Sequence, residues 1–232
     1  MSNQHMFTAE ENGIMYRFKL DAFDKTVAEA AYATDKNIEA ITIPNSIKNI
    51  PVVSVAAGAF AQMKSLKTVC FEPSASITIE KEAFALCPNL EKVESYSDIL
   101  ILHKKVFFNN PSLTKFFCYG KINLKGENIF FQCQNLEKIN GRIQELGTHS
   151  LSGATGLKKL IFANDAKFYK ESFAGCSVSE LWFMGNAEFI APATALIMKE
   201  HKILCRHSSN LADLAYEGFN IETSALINIC AF

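Results

Sequence analysis

The chain has five histidines and seven cysteines, the residue types that most often bind metals or act as nucleophiles. Two histidines come near a cysteine only in the C-terminal segment, at His201, Cys205 and His207. Neither this cluster nor the remaining histidines follow the spacing of a metal-binding helix such as HExxH. We therefore predict no metal site and no cofactor.

Signals of catalysis are also missing from the sequence. A catalytic Ser or Cys needs a base and an orienting group, and no G-x-S-x-G elbow is present. Glycine-rich phosphate loops are absent as well. We therefore predict that the protein is not an enzyme.

The dominant feature of the chain is a repeated phrase. Phe84–x2–Cys87–x2–Leu90–x2–Val93 returns almost unchanged at residues 130–139. The first residue of each copy, which we call the anchor, recurs at spacings of 24, 23, 23, 21 and 22 residues. The anchors are Phe60, Phe84, Phe107, Phe130, Leu151 and Phe173. A period of this length predicts a solenoid of stacked coils.

Each repeat has the same local plan. A short apolar segment precedes the anchor, as at Ile77–Ile79, and a longer alternating segment follows it, as at Leu66–x2–Val69–x–Phe71. Both segments predict strands, since apolar residues alternate with polar ones. The anchor region is too short for a stable α-helix and predicts a single helical or 3₁₀ turn.

The cysteines of the phrase occupy one slot of the repeat, at Cys87, Cys133 and Cys176. Equivalent positions in adjacent coils are about 5 Å apart, so the first two lie two coils, or roughly 10 Å, apart. That separation is too long for a disulfide. We predict that these residues are small buried hydrophobes at a tight bend.

The repeats occupy residues 38–190, about six units, within one domain of 232 residues. Residues 1–37 predict an N-terminal cap: a loosely attached start over residues 1–10, a strand at 13–20, a turn at 21–24 and a second strand at 26–30. Residues 191–232 predict a C-terminal cap with a strand at 203–205, a helix at 211–216 and an extended segment from Ile221.

These residues resemble the BspA-type leucine-rich repeat. The resemblance rests on Ala59–Phe60, on the Phe–x2–Cys–x2–Leu copies, and on Ile41-Thr42-Ile43-Pro44. It implies a mainly β leucine-rich-repeat solenoid with parallel strands on a concave face. It also implies a non-enzymatic binding role, as in cell-surface proteins linked to adhesion. Asn110 and Ala154 in the cysteine slot and Leu151 at an anchor depart from the pattern.

Side chains that face outward from the post-anchor strands are the candidates for a binding site. Alternation points Leu, Val and Phe inward and leaves three outward columns along the stack. The candidate ligand-binding residues are Lys92, Tyr96, Lys115, Phe117, Tyr119, Lys138, Arg142, Ile161, Trp182 and Met184.

The first column is rich in lysine, and two interpretations stay open. It binds an acidic ligand, or lysine merely keeps the surface soluble and discourages aggregation. Large aromatic and apolar side chains in the other two columns would be exposed to solvent unless another molecule or segment contacts them. They bind a protein or glycan partner, pair with a second copy of the chain in a self-assembling protein, or lie under another part of the same chain.

Composition and charge narrow the remaining possibilities. Hydrophobic residues make up 49% and charged residues 20% of the chain, and the net charge is −1. We therefore predict no nucleic-acid partner and no membrane insertion. Residues 1–10 lack a secretory signal, which favours the cytoplasm if the sequence is complete and the cell surface or exterior if a signal was removed. Localisation stays open on these grounds.

Overall fold

A computed structural model describes residues 8–169, 171–178, 180–183, 187–189, 202–205 and 221–223. Within them the chain forms seventeen strands and no helix. The strands are β1 (Thr8–Glu11), β2 (Ile14–Leu20), β3 (Thr26–Ala33), β4 (Ala40–Ile43), β5 (Ser46–Ile47), β6 (Ile50–Val55), β7 (Thr68–Phe71), β8 (Ile77–Ile79), β9 (Lys92–Ser95), β10 (Ile99–Leu102), β11 (Lys115–Leu124), β12 (Lys138–Leu146), β13 (Lys159–Phe168), β14 (Glu180–Phe183), β15 (Ala187–Phe189), β16 (Lys202–Cys205) and β17 (Ile221–Thr223).

The strands form two parallel sheets along the stack, as the repeat predicts. The post-anchor sheet contains the strands that follow the anchors, and it runs β4, β7, β9, β11, β12, β13, β14, β16, β17. The pre-anchor sheet runs β3, β6, β8, β10, the second halves of β11, β12 and β13, and β15. The prediction of a mainly β solenoid is confirmed.

The anchor side chains form a stack of aromatic rings inside the solenoid. Phe60, Phe84, Phe107 and Phe130 are buried, with ring centroids 5.1, 5.7 and 5.5 Å apart along the series. The spacing follows from the parallel coils, and offset stacking adds to the gain from apolar burial. Phe116 of β11 contacts two of these rings edge-on, which ties the anchors to the post-anchor sheet.

The turns around the anchors have a repeating backbone conformation that the sequence did not indicate. Residues two before and two after each anchor have positive φ, and most are not glycine. These pairs are Gly58 and Gln62, Glu82 and Leu86, Lys105 and Asn109, Asn128 and Gln132, His149 and Gly153, and Glu171 and Gly175. The i→i+3 hydrogen bonds of a 3₁₀ turn form between them, but the left-handed residues prevent a helix.

These turns also connect the coils to one another. The N–H groups of Glu82, Phe84 and Leu86 donate to carbonyls of the next coil at 2.9–3.0 Å. The same three-bond pattern recurs at the neighbouring anchors. The turn side of the solenoid is therefore hydrogen-bonded along the stack, as the two sheets are, which leaves few buried backbone groups without partners.

The cysteine slot has a hydrogen-bonding role in addition to its packing role. The thiol of Cys87 donates to the carbonyl of Phe60 at 3.2 Å, and that of Cys133 donates to the carbonyl of Phe107 at 3.1 Å. Burial raises the pKa of Cys87 to about 11 and that of Cys133 to about 12, which keeps both thiols protonated donors. Cys70, Cys87, Cys118, Cys133 and Cys176 are free thiols.

Asn110 replaces cysteine in this slot and makes the equivalent contact. Its amide donates to the carbonyl of Phe84 at 2.9 Å and accepts the N–H of Cys87 at 2.7 Å. Sequence reasoning treated Asn110 as a departure from the pattern. The structure shows that asparagine here supplies the buried donor that cysteine supplies at positions 87 and 133.

The N-terminal hairpin caps the pre-anchor sheet, because β2 pairs antiparallel with β3 and β3 pairs parallel with β6. The prediction of a loose start is wrong for residues 8–10, which belong to β1 and pair with β2. Buried Glu29 of β3 joins Arg17 at 2.7 Å and Lys19 at 2.8 Å. It also accepts a hydrogen bond from the Ser54 hydroxyl at 3.2 Å, so the carboxylate links the cap to the first coil.

Beyond residue 190 the post-anchor sheet continues. Strands β16 and β17 lie where the sequence predicts a strand at 203–205 and an extended segment from Ile221, and they extend the sheet in parallel from β14. The predicted helix at 211–216 lies outside the described residues.

Replacement of Asn110 by leucine tests the role of the slot. Asn110→Leu leaves the Phe84 carbonyl and the Cys87 N–H buried without partners, at a cost of about 1–3 kcal/mol each. We expect a loss of about 2–4 kcal/mol in the free energy of unfolding, measured with urea. The matched control is Asn135→Leu, whose exposed amide donates to the Pro111 carbonyl at 2.9 Å. Equal losses for the two variants would contradict the role of the slot.

The Glu29 cluster predicts a pH dependence of stability. Burial pushes the pKa of Glu29 upward, but the hydrogen bond and charge of Lys19 and the charge of Arg17 outweigh burial and hold it below 4.5. The ionised carboxylate therefore contributes its full stabilisation at pH values above the ordinary glutamate pKa of 4.5. This contribution disappears as the pH falls through the lower pKa of the folded state.

We expect Glu29→Gln to lower the free energy of unfolding by about 1–2 kcal/mol at neutral pH. The difference from the wild type should vanish at pH values well below the pKa of Glu29. Urea unfolding at neutral and acidic pH measures both. Glu127→Gln, which breaks only an exposed pair with Lys104, should leave stability nearly unchanged. A constant Glu29→Gln deficit at all pH values would show that packing, not charge, is responsible.

Candidate functional site

The outward face of the post-anchor sheet is the candidate site. Along β9 and β11 every second side chain is buried, which places Val93 and Phe116 in the core and Lys92, Lys115 and Phe117 outside. This alternation is the one predicted from the sequence. The face is therefore a regular array of side chains, with neighbouring strands about 4.8 Å apart.

Lysines form a column across three adjacent strands of this face. Lys92 of β9, Lys115 of β11 and Lys138 of β12 are in register. Lys92 is paired with Glu94 at 2.8 Å, and this hydrogen bond raises the pKa of Lys92. Lys115 and Lys138 form no ion pair with any described residue. The column therefore carries two uncompensated positive charges side by side.

Aromatic side chains lie next to the lysines. The ring centroids of Tyr96 and Phe117 are 5.8 Å apart, with the ring planes tilted by 57°. Tyr119 is two residues further along β11 and is 66% exposed. Exposed aromatic groups that cluster in this way are typical of interaction surfaces.

The far end of the face has a different arrangement. The ammonium group of Lys159 lies over the ring of Trp182, 3.5 Å from its centroid. Trp182 is on the adjacent strand β14, so this cation–π contact partly compensates the charge of Lys159 within the chain. This part of the face therefore carries less uncompensated positive charge than the part around Lys115 and Lys138.

Two predicted members of the face are placed differently from the prediction. Ile161 is only 7% exposed, so its prediction as an exposed apolar residue is wrong. Its in-register neighbour on β14 is Trp182, whose large side chain is in a position to cover it. Met184 lies outside the described residues.

Arg142 was predicted to follow Tyr96 and Tyr119 in a column. A register shift between β11 and β12 places Arg142 beside Lys121 instead. The shift arises where both strands turn from one sheet into the other. Only glycine fits at position 120, because a Cβ there would lie 2.0 Å from the Asp98 carbonyl oxygen. On β12, Gly141 has a φ near +150°, which other residues rarely adopt.

Lys121 is the residue that sequence reasoning missed. It is exposed, and its Cα is in register with that of exposed Arg142. Neither forms an ion pair with a described residue. The alternation Lys115, Phe117, Tyr119, Lys121 along β11 was the signal that could have identified it.

The described residues provide no catalytic or metal-binding arrangement. No group of three or more His, Cys, Asp or Glu in that part of the chain could hold a metal ion. Burial raises the pKa of Cys70 and the pKa of Cys118, which disfavours the thiolate needed for nucleophilic attack. The part of the chain that the structure describes contains no helix that could cross a membrane.

Parallel coils, an internal column of anchors and an exposed sheet face define the chain as a leucine-rich-repeat scaffold. More specifically, the chain belongs to the BspA-type family: the family described as "BspA type Leucine rich repeat region" matches residues 25–142 in six copies. This confirms the resemblance found in the sequence. Proteins of this family are repeat scaffolds that are generally not enzymes.

Solved structures show the same fold. The T. pallidum leucine-rich repeat protein is 17% identical, with a TM-score of 0.59 over 94% of this chain and 100% of that one. A leucine-rich cell surface protein of Faecalibacterium prausnitzii A2-165 is 16% identical, with a TM-score of 0.59, and the match covers 96% of this chain and 55% of that protein. No curated protein sequence matches the chain.

Proposed function

We propose that the protein is a non-enzymatic binding module that presents the outward face of its post-anchor sheet to a protein partner. The observation that carries this proposal is the aromatic group formed by exposed Tyr96 and Tyr119 and half-buried Phe117 on a rigid sheet. Family membership supports it, because BspA-type repeats are typically interaction or surface proteins. The structural relative from F. prausnitzii is described as a cell surface protein, and a surface or secreted, adhesin-like setting is part of the proposal.

The physical basis of the proposal is rigidity. Side chains on a hydrogen-bonded sheet lose little conformational freedom when a partner binds, so more of the contact energy appears as affinity. Aromatic residues contribute large contact areas and dominate binding hot spots. Tyr96 and Phe117 already contact each other in the free protein, which pre-organises the centre of the face.

The partner we favour is a protein, with a glycan as the alternative. A glycan ring stacks on one flat aromatic surface, whereas Tyr96 and Phe117 are tilted by 57° and suit an inserted side chain. The exposure of Tyr119 favours one further candidate, a self-assembling protein that pairs through the aromatic residues. Sedimentation equilibrium distinguishes self-assembly from binding of another protein. A self-assembling protein is a dimer, and the double variant described next should be a monomer.

Selection of peptides from a random display library tests the proposed face. Peptides selected on the wild-type chain should lose at least tenfold in affinity for a Phe117→Ser/Trp182→Ser double variant, because hot-spot aromatic residues contribute about 2 kcal/mol or more each. The readout is the dissociation constant of each selected peptide by fluorescence anisotropy.

The control variant is Phe23→Ser/Tyr32→Ser, which removes two exposed aromatic side chains of the N-terminal cap. It should bind the selected peptides as the wild type does. Circular dichroism confirms that every variant remains folded. If the selected peptides bind the Phe117→Ser/Trp182→Ser variant undiminished, this face is not the binding surface.

A further inference from the structure

The placement of charge on β11 and β12 runs against the pattern found elsewhere in the solenoid. Between neighbouring coils, opposite charges meet at Lys67 and Glu39, 2.8 Å apart, and at Lys104 and Glu127, 2.6 Å apart. On the post-anchor face, Lys115 meets Lys138 instead. Like charges directly opposite each other in a sheet are destabilising, so fold stability does not explain this pair.

A second pair of cations repeats the anomaly six residues further along β11, beyond the turn at which the strand passes into the pre-anchor sheet. Lys121 is in register with Arg142, and both are exposed. Among the described residues none of these four cations has an acidic partner within 4.0 Å. The two pairs are therefore two sites of uncompensated positive charge on the same two strands.

Between the two pairs lies an apolar segment. Phe117 and Tyr119 are the outward residues of β11 between Lys115 and Lys121. The order along the strand is therefore charged, aromatic, aromatic, charged. A strand rises about 3.3 Å per residue, so the pairs are at most roughly 20 Å apart, less the shortening at the bulge.

We propose that this surface, which we call the β11–β12 patch (Lys115, Phe117, Tyr119, Lys121, Lys138, Arg142), binds an acidic polypeptide segment with apolar residues between its acidic ends. The inference deepens the proposed binding function and rests on it. A peptide that follows the turn of β11, with acids at its ends and apolar residues between them, matches the patch in charge and order. A uniformly charged sulfated glycan has no group for the aromatic centre.

Synthetic peptides test the charge order directly. The probe is a fluorescently labelled nonapeptide with two Asp at each end and, between them, a Phe and a Leu alternating with three Ser. We expect it to bind the full chain at least tenfold more tightly than an isomer with all four Asp at one end. Binding should weaken roughly tenfold between 50 and 300 mM salt, because exposed charge pairs are screened.

Charge reversal separates binding from folding. Lys138→Glu places an opposite charge beside Lys115, so the urea midpoint should stay unchanged or rise while peptide affinity falls at least tenfold. Lys121→Glu/Arg142→Glu should lower the affinity for the probe by a similar factor. The control Lys36→Glu/Lys64→Glu makes the same change of charge at exposed positions away from the patch and should not alter binding.

Each of the following results would overturn the proposal. The first is no binding of the probe at millimolar concentration. The second is equal binding of the probe and its isomer. The third is that a heparin hexasaccharide binds more tightly than the probe and that its affinity is unchanged in a Phe117→Ser/Tyr119→Ser variant, which would indicate a glycan site. If library peptides depend on Phe117 but not on Lys138, the binding function stands and the acidic partner is rejected.

Discussion

The fixed distance between neighbouring coils is the constraint on which the rest of the structure depends. Backbone hydrogen bonds in both sheets and in the anchor turns hold each coil about 4.8 Å from the next. Side chains are therefore placed beside their equivalents in the adjacent coil, except where the register between two strands shifts. Inside the solenoid this requires residues that pack well against copies of themselves, and flat phenyl rings 5.1–5.7 Å apart meet that requirement.

The same constraint organises the outside of the solenoid. A residue type repeated at one outward position becomes a column, and its charge is concentrated instead of spread. At Lys67 and Glu39, and at Lys104 and Glu127, neighbouring coils relieve this concentration by pairing opposite charges, whereas the β11–β12 patch keeps like charges together around aromatic side chains. The scaffold thus makes the patch rigid and leaves its charge available to a partner.

The sequence predicted the periodic features well and the irregular ones poorly. The anchors, the strands and the inward and outward alternation follow from period and hydrophobicity, and all three appear in the structure. The register shift that moves Arg142 beside Lys121 depends on a backbone approach at Gly120, which no alternation reveals. Ile161 is buried beside the in-register Trp182 of the next strand, and Asn110 bonds to the Phe84 carbonyl and the Cys87 N–H of another coil. These features are long-range contacts, so a local pattern does not encode them.

Site-specific photo-cross-linking tests most directly whether this face binds the partner. A benzoylphenylalanine replaces Phe117 in one protein and Phe23 in another, and the tightest library-selected peptide is irradiated with each. Phe23 is 80% exposed, so random collisions favour it. We predict cross-linked peptide from position 117 and background levels from position 23. Efficient cross-linking at position 23 with none at position 117 would contradict the account.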